Sequence, residues 1–171
     1  MASTFLYFAY GSNMLTRRLR APNRAPSAAL EGIGFVERRR LTFDKVSRDG
    51  SGKCDIEATN SSTDRVHGVL FSIAASEENA LDREEGVGNG YRKAKIQVVT
   101  ANGEMVALAC IATKKNPGSR PYHWYKALVI AGAVEHGLPV PYIEWLRTVD
   151  SQPDPQASRQ AQNEALFSFE G

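Results

Sequence analysis

The sequence predicts a single mixed α+β domain, and three observations carry that prediction. Strand-like runs dominate up to about residue 113, the longest helical pattern follows over 121–136, and an N-terminal apolar strand breaks directly into a Gly-Ser-Asn turn and a helix pattern. At 171 residues the chain has the size of one domain whose core can fold without disulfides.

The first strand, ending in Tyr7-Phe8-Ala9-Tyr10, is aromatic-rich with almost no polar break, as expected of a strand buried on both faces. Gly11 then admits backbone conformations that a Cβ resists, and Ser12 or Asn13 can N-cap the pattern Met14, Leu15, Leu19. That pattern ends near Arg20, ahead of Pro22 and Pro26. Such a turn aims several backbone N–H groups and the positive end of a helix dipole at one small volume, which suits a carboxylate or a developing oxyanion. It is also the geometry of an ordinary strand-to-helix junction.

Residues 28–46 have strand character, with Val36, Leu41, Phe43 and Val46 set among charges, and the Gly/Ser/Asp loop 48–53 marks a hairpin or flap. Strands follow at 54–59 and 66–73, the second apolar enough to lie centrally in a sheet. Ser76 is expected to N-cap a helix over 77–85, with Ala80 and Leu81 facing inward and Gly86 as its stop. A strand over 91–100 turns at Asn102-Gly103 into a return strand over 105–113. Gly137 and Pro139 close the long helix, and Pro141 opens a short one through Ile143, Trp145 and Leu146. Residues 1–150 thus make the domain; 151–171, rich in Gln, Asp, Pro and Ser, are expected to be a flexible or loosely docked tail, with Leu166, Phe167 and Phe169 able to dock.

Composition narrows the function classes. A net charge of +2 gives no argument for nucleic acid, and the basic run Arg38-Arg39-Arg40, even with Arg17, Arg18 and Arg20, reads as a solvated edge. Cys54 and Cys110 lie in different strand patterns without metal-ligand spacing and read as core residues of a reducing compartment. His67, His123 and His136 share no metal spacing either, and no Ser-His-Asp arrangement is legible around Ser12. The N-terminal apolar run is too short for a membrane span and lacks a basic leader, so a cytoplasmic protein with no membrane partner is expected.

A second informative stretch is Leu81-Asp82-Arg83-Glu84-Glu85-Gly86-Val87. Glu85 is the last residue before the helix-stopping glycine, at the negative end of the helix dipole, where an anion is disfavoured. A carboxylate placed there is a candidate acid/base group, with Glu84 and Asp82 as competitors. The plain alternative is an exposed helix end that tolerates charge.

Taken together, Phe8-Ala9-Tyr10-Gly11-Ser12-Asn13-Met14, the later Leu81-Asp82-x-x-Glu85-Gly86-Val87 with Gly90-Tyr91, and Glu135-His136-Gly137-Leu138-Pro139 resemble the γ-glutamylcyclotransferases. The resemblance implies an α+β fold built around a small, partly closed β-barrel with flanking helices, the Tyr-Gly-Ser loop lining a cavity at one end. It implies a reaction without metal or cofactor: the α-amine of a small γ-glutamyl substrate attacks its own γ-carbonyl, giving 5-oxoproline and the free amine. On the matching positions, Glu85 would move the protons, Tyr7, Phe8, Ala9, Tyr10, Gly11, Ser12 and Asn13 would form the substrate-binding loop, and Tyr91 and Tyr125 would orient substrate or Glu85. A homodimer is also implied. The opening motif resembles enzymes acting on γ-glutamyl amino acids more than the glutathione-specific or γ-glutamylamine branches. Two other readings remain at this stage: a cyclotransferase acting on a carrier-bound or antibiotic-type intermediate, and a ligand-binding protein that keeps the fold without the reaction.

Overall fold

The structure, a computed structural model, describes residues 2–167. In chain order its strands are Thr4–Ala9 (β1), Ala29–Glu37 (β2), Arg39–Val46 (β3), Gly52–Ala58 (β4), Arg65–Ala74 (β5), Tyr91–Thr100 (β6) and Gly103–Ala112 (β7). Five of them close into a barrel in the order β1-β5-β2-β6-β7, and β3 and β4 form a separate hairpin. The apolar strand β5 is central, as its composition suggested: it pairs antiparallel with β1, Phe8 opposite Leu70, and with β2, Val36 opposite Val66. A single parallel contact, Tyr7 with Leu108, joins β1 to β7 and closes the ring.

The stretch read as one strand region over 28–46 divides at Arg38, whose φ of 60° turns the chain out of the barrel and into the hairpin. Leu41 and Ile56 bury the inner face of that hairpin. The hairpin is tied down by Lys115, which pairs with Asp55 at 2.9 Å and Glu57 at 3.0 Å, while Asp55 also accepts from the Ala112 amide at 2.8 Å.

The helices are Thr16–Leu19 (α1), Glu78–Glu85 (α2), His123–Glu135 (α3), Val140–Arg147 (α4) and Ala157–Glu164 (α5). Two capping expectations are corrected. Ser12 and Asn13 do not cap α1 but sit inside a 3-10 turn, Ser12–Met14, and the residue preceding α1 is Leu15. Ser76 likewise lies within a 3-10 turn, Ala75–Glu77, and Glu77 precedes α2. In both places a tighter turn absorbs the chain reversal, and the polar side chain is spent elsewhere or exposed.

The long helix α3 lies directly against the Ser12–Met14 turn. A Cβ on Gly132 would come within 2.6 Å of the Leu15 nitrogen and 2.7 Å of the Met14 Cβ, so this glycine permits the close approach. The segment read as a loose tail carries α5 and a buried anchor. Asp154 accepts from Trp124 Nε1 at 2.9 Å and pairs with Arg159 at 2.6 Å, a set of partners that composition alone does not announce. Leu166 and Phe167 pack against the core, and Phe169 lies outside the described residues. Among the described residues no helix is long and apolar enough to cross a membrane.

Candidate active site

At one end of the barrel, β1 delivers Tyr7 and Tyr10 and then the 3-10 turn, while α2 delivers Glu85 from its last turn. Gly86 stops α2 with a left-handed φ of 78°, which a side chain would resist, so the carboxylate stands at the helix terminus facing the turn. Between them is a small cavity of about 30 Å³ lined by Tyr7, Tyr10, Gly11, Ser12, Asn13, Cys54, Glu85, Tyr91, Cys110 and Tyr125.

Glu85 is held on one oxygen. Tyr7 donates its phenol to Oε1 at 2.6 Å, and Asn13 Nδ2 donates to the same oxygen in a very short contact. Asn13 is itself oriented: Arg24 donates to its Oδ1 at 3.3 Å, which leaves the amide nitrogen for Glu85 and, at 3.2 Å, for the Tyr7 oxygen. Charge-assisted bonds of this kind are the stronger class. Among the described residues Oε2 accepts no such bond.

The tyrosines of the cavity are held in the protonated form. Burial first, and the nearby Glu85 charge second, push the Tyr7 phenol well above its ordinary range. Burial does the same for Tyr10, Tyr91 and Tyr125. Tyr125 donates neither to Glu85 nor to the turn; its hydroxyl accepts from the Cys54 amide at 3.1 Å, and Tyr91 donates to the Cys54 carbonyl at 2.6 Å. Tyr91 on β6 thus ties β4 of the hairpin to the barrel, and Tyr125 ties it to α3. Tyr10 donates to the Cys110 carbonyl of β7.

The Gly11 position is crowded for a reason visible here. A Cβ there would lie 3.1 Å from the Tyr125 hydroxyl and 3.2 Å from Cys54 Cβ, so the turn passes this close to the hairpin most easily with glycine. The amides of Ser12 and Asn13 open the 3-10 turn and have no acceptor within it.

Of the residues singled out in the sequence, the structure brings Tyr7, Tyr10, Gly11, Ser12, Asn13, Glu85, Tyr91 and Tyr125 to one cavity. Phe8 and Ala9 lie outside its lining: both are fully buried in β1, the Phe8 ring set against the Gly68 backbone. Neither competing carboxylate lines it. Glu84 turns to Arg24 at 3.9 Å and Asp82 to Lys93 at 2.8 Å. Sequence reasoning passed over Cys54 and Cys110, which are wall residues as well as core, and Arg24, whose role depends on a loop returning to Asn13. No local pattern marks these three.

Fold and site together define a small barrel protein that presents a hydrogen-bonded carboxylate opposite a turn of free amides, inside a phenol-lined cavity. Comparison with known proteins gives the particular family. The family model described as AIG2-like matches residues 65–146. The γ-glutamylcyclotransferases of Homo sapiens and Mus musculus are each 34% identical over 152 residues, covering 86% of this chain and 79% of theirs. A solved γ-glutamyl cyclotransferase superposes with a TM-score of 0.83 at 29% identity, covering 95% of this chain and 99% of that one. The chain belongs to the γ-glutamylcyclotransferase family of enzymes.

Proposed function

We propose that this protein converts a small γ-glutamyl conjugate into 5-oxoproline and the free amine, with Glu85 as the single acid/base group. The observation that carries the reading is the asymmetric hold on Glu85, with Oε1 fixed by Tyr7 and Asn13 and Oε2 left to face a ligand.

The substrate brings its own nucleophile. Glu85 Oε2 takes a proton from the substrate's α-ammonium, the freed nitrogen attacks the γ-carbonyl carbon, and the resulting oxyanion is met by turn amides at Ser12 and Asn13. Glu85 passes its proton to the leaving nitrogen and takes the second proton from the attacking nitrogen, the carbon–nitrogen bond to the leaving amine breaks as the lactam forms, and Glu85 gives that second proton to the departing amine. One amide bond forms as another is lost, and no water is consumed. The chain's contribution is orientation: it holds amine and carbonyl of one molecule in register and moves two protons in turn from the attacking nitrogen to the departing one. Ser12 supplies backbone rather than a nucleophile. The enclosed space of about 30 Å³ has room for about two waters, so the glutamyl group is admitted as wall side chains give way.

Support comes from the family named above and from the cavity's donor set. The test is 5-oxoproline release from γ-glutamyl-alanine by the native protein and by Glu85→Gln. Release that falls by about a thousandfold or more in the variant, with 5-oxoproline still bound, is expected. No release by the native protein would end the reading; full activity in Glu85→Gln would end the role of Glu85.

A further inference from the structure

Lys45, on β3, is 6% exposed and stands apart from three half-buried lysines. Lys53 pairs with Asp49 at 2.7 Å, Lys93 with Asp82 at 2.8 Å and Lys115 with Asp55 at 2.9 Å. Among the described residues the Lys45 ammonium has no ion pair and no hydrogen bond. It lies over the Tyr91 ring, 4.5 Å from the centroid. Burial pushes its pKa down, against the more distant charges of Glu85 and Asp49.

The surrounding chain is shaped to admit it. A Cβ on Gly90 would meet Lys45 Cε at 2.8 Å and Nζ at 3.2 Å, so the loop after α2 runs tightly over the lysine's end. Lys45 also borders a second, outer cavity of about 180 Å³, with Ser47, Arg48, Arg83, Glu84, Glu85, Gly86 and Asn89. This cavity meets the inner one at Glu85. Glu85 is hydrogen-bonded to Tyr7 and Asn13, and Glu84 is drawn to Arg24, so neither carboxylate pairs directly with Lys45, although the Glu85 charge favours its ammonium from a distance.

We propose that Lys45 is a specificity residue that binds the carboxylate of the departing amino acid in this outer cavity. This rests on the cyclotransferase reading. The geometry is consistent with the chemistry: the scissile nitrogen must lie beside Glu85 to receive its proton, and the carboxylate one carbon further on then falls on the outer side, where Lys45 is unpartnered and Arg48 adds a second cation.

The experiment compares γ-glutamyl-alanine with γ-glutamyl-ethylamide, the same molecule with the carboxylate replaced by hydrogen, on the native protein, Lys45→Met and Lys45→Arg. The ratio of kcat/KM for the two substrates should fall about tenfold or more in Lys45→Met, through KM of the alanine conjugate, and return in part in Lys45→Arg. Methionine keeps the aliphatic packing over Tyr91, and a folding defect would lower both substrates together. Equal losses on the two substrates, or an unchanged ratio, would overturn the proposal. If the native protein released 5-oxoproline from neither, the parent reading would fail first. Calorimetric titration of both ligands would then decide this one: a preference for the carboxylate-bearing ligand that Lys45→Met removes upholds it, and equal affinities or no binding overturn it.

Discussion

Glu85 and Lys45 border the same outer cavity with opposite charge, yet the fold treats them differently. The carboxylate is met by two donors, and one of those donors is itself oriented by Arg24. The ammonium is met by an aromatic face and a glycine loop. The first arrangement fixes a group by direct hydrogen bonds; the second leaves an ammonium with no ion pair or hydrogen bond among the described residues. The contrast suggests a division of labour in which the β1 turn and α2 govern the reaction, and the β3–β4 hairpin governs which conjugate is accepted.

The sharpest way to break that contrast, after Glu85 itself, is to release the carboxylate. Tyr7→Phe and Asn13→Ala each remove one donor to Glu85 Oε1, and hydrogen bonds to a charged group are worth about 1.5–3 kcal/mol. Each variant should lower kcat for γ-glutamyl-alanine by about ten- to a hundredfold with little change in KM, since the loss falls on the group that moves the proton. Because both donors serve one oxygen, the double variant should lose less than the product of the single losses. Steady-state kinetics on the three proteins checks this. Two single variants with native kcat would mean that the fixed geometry of Glu85 is not used.

The contrast also marks what the sequence could show. Contiguous features were legible: the aromatic strand running into Gly11, the glycine stop after Glu85, the centrality of β5 and the Asn102-Gly103 hairpin all rest on neighbours in the chain. Groups that matter through distant partners were not. Lys45 is one charge in a strand of mixed pattern until the Gly86–Gly90 loop is folded over it. Asn13, proposed as a cap or a substrate contact, turns out to hold Glu85 across 72 residues of sequence. Asp154 lies in a stretch whose composition suggests a loose tail, and only the arrival of Trp124 and Arg159 makes it an anchor. Composition reports what a segment is, and these three depend on what comes to meet it.

A smaller effect sharpens the same comparison on the side of the turn. In Gly11→Ala the new Cβ presses on the Tyr125 hydroxyl and on Cys54, whose amide that hydroxyl accepts. Overpacking of this kind costs about 1–3 kcal/mol. A lowered Tm and a few-fold weaker affinity for 5-oxoproline are expected, measured by thermal denaturation and titration. Native values for both would mean that the turn and the hairpin are not tightly engaged and that the wall between them yields freely.

The smallest expected change concerns that wall directly. Cys54 is buried between Tyr125 and Tyr91, and burial pushes its thiol up to about 12. The sign follows from desolvation of the thiolate: at pH 8 about one molecule in ten thousand carries it, against roughly a quarter for an ordinary thiol. Iodoacetamide at pH 8 should therefore leave Cys54 unmodified in the native protein over a time that fully labels the urea-unfolded chain, and activity should be retained, as read by peptide mass spectrometry and an assay in parallel. Rapid labelling with loss of activity would show that the hairpin parts from the barrel mouth without substrate, and the distinction between a preset carboxylate and a waiting cation would then give way to a site assembled only on binding. Slow labelling that γ-glutamyl-alanine slows further would place the opening motion on the path by which substrate enters, with the hairpin as the part that moves and Glu85 as the part that stays.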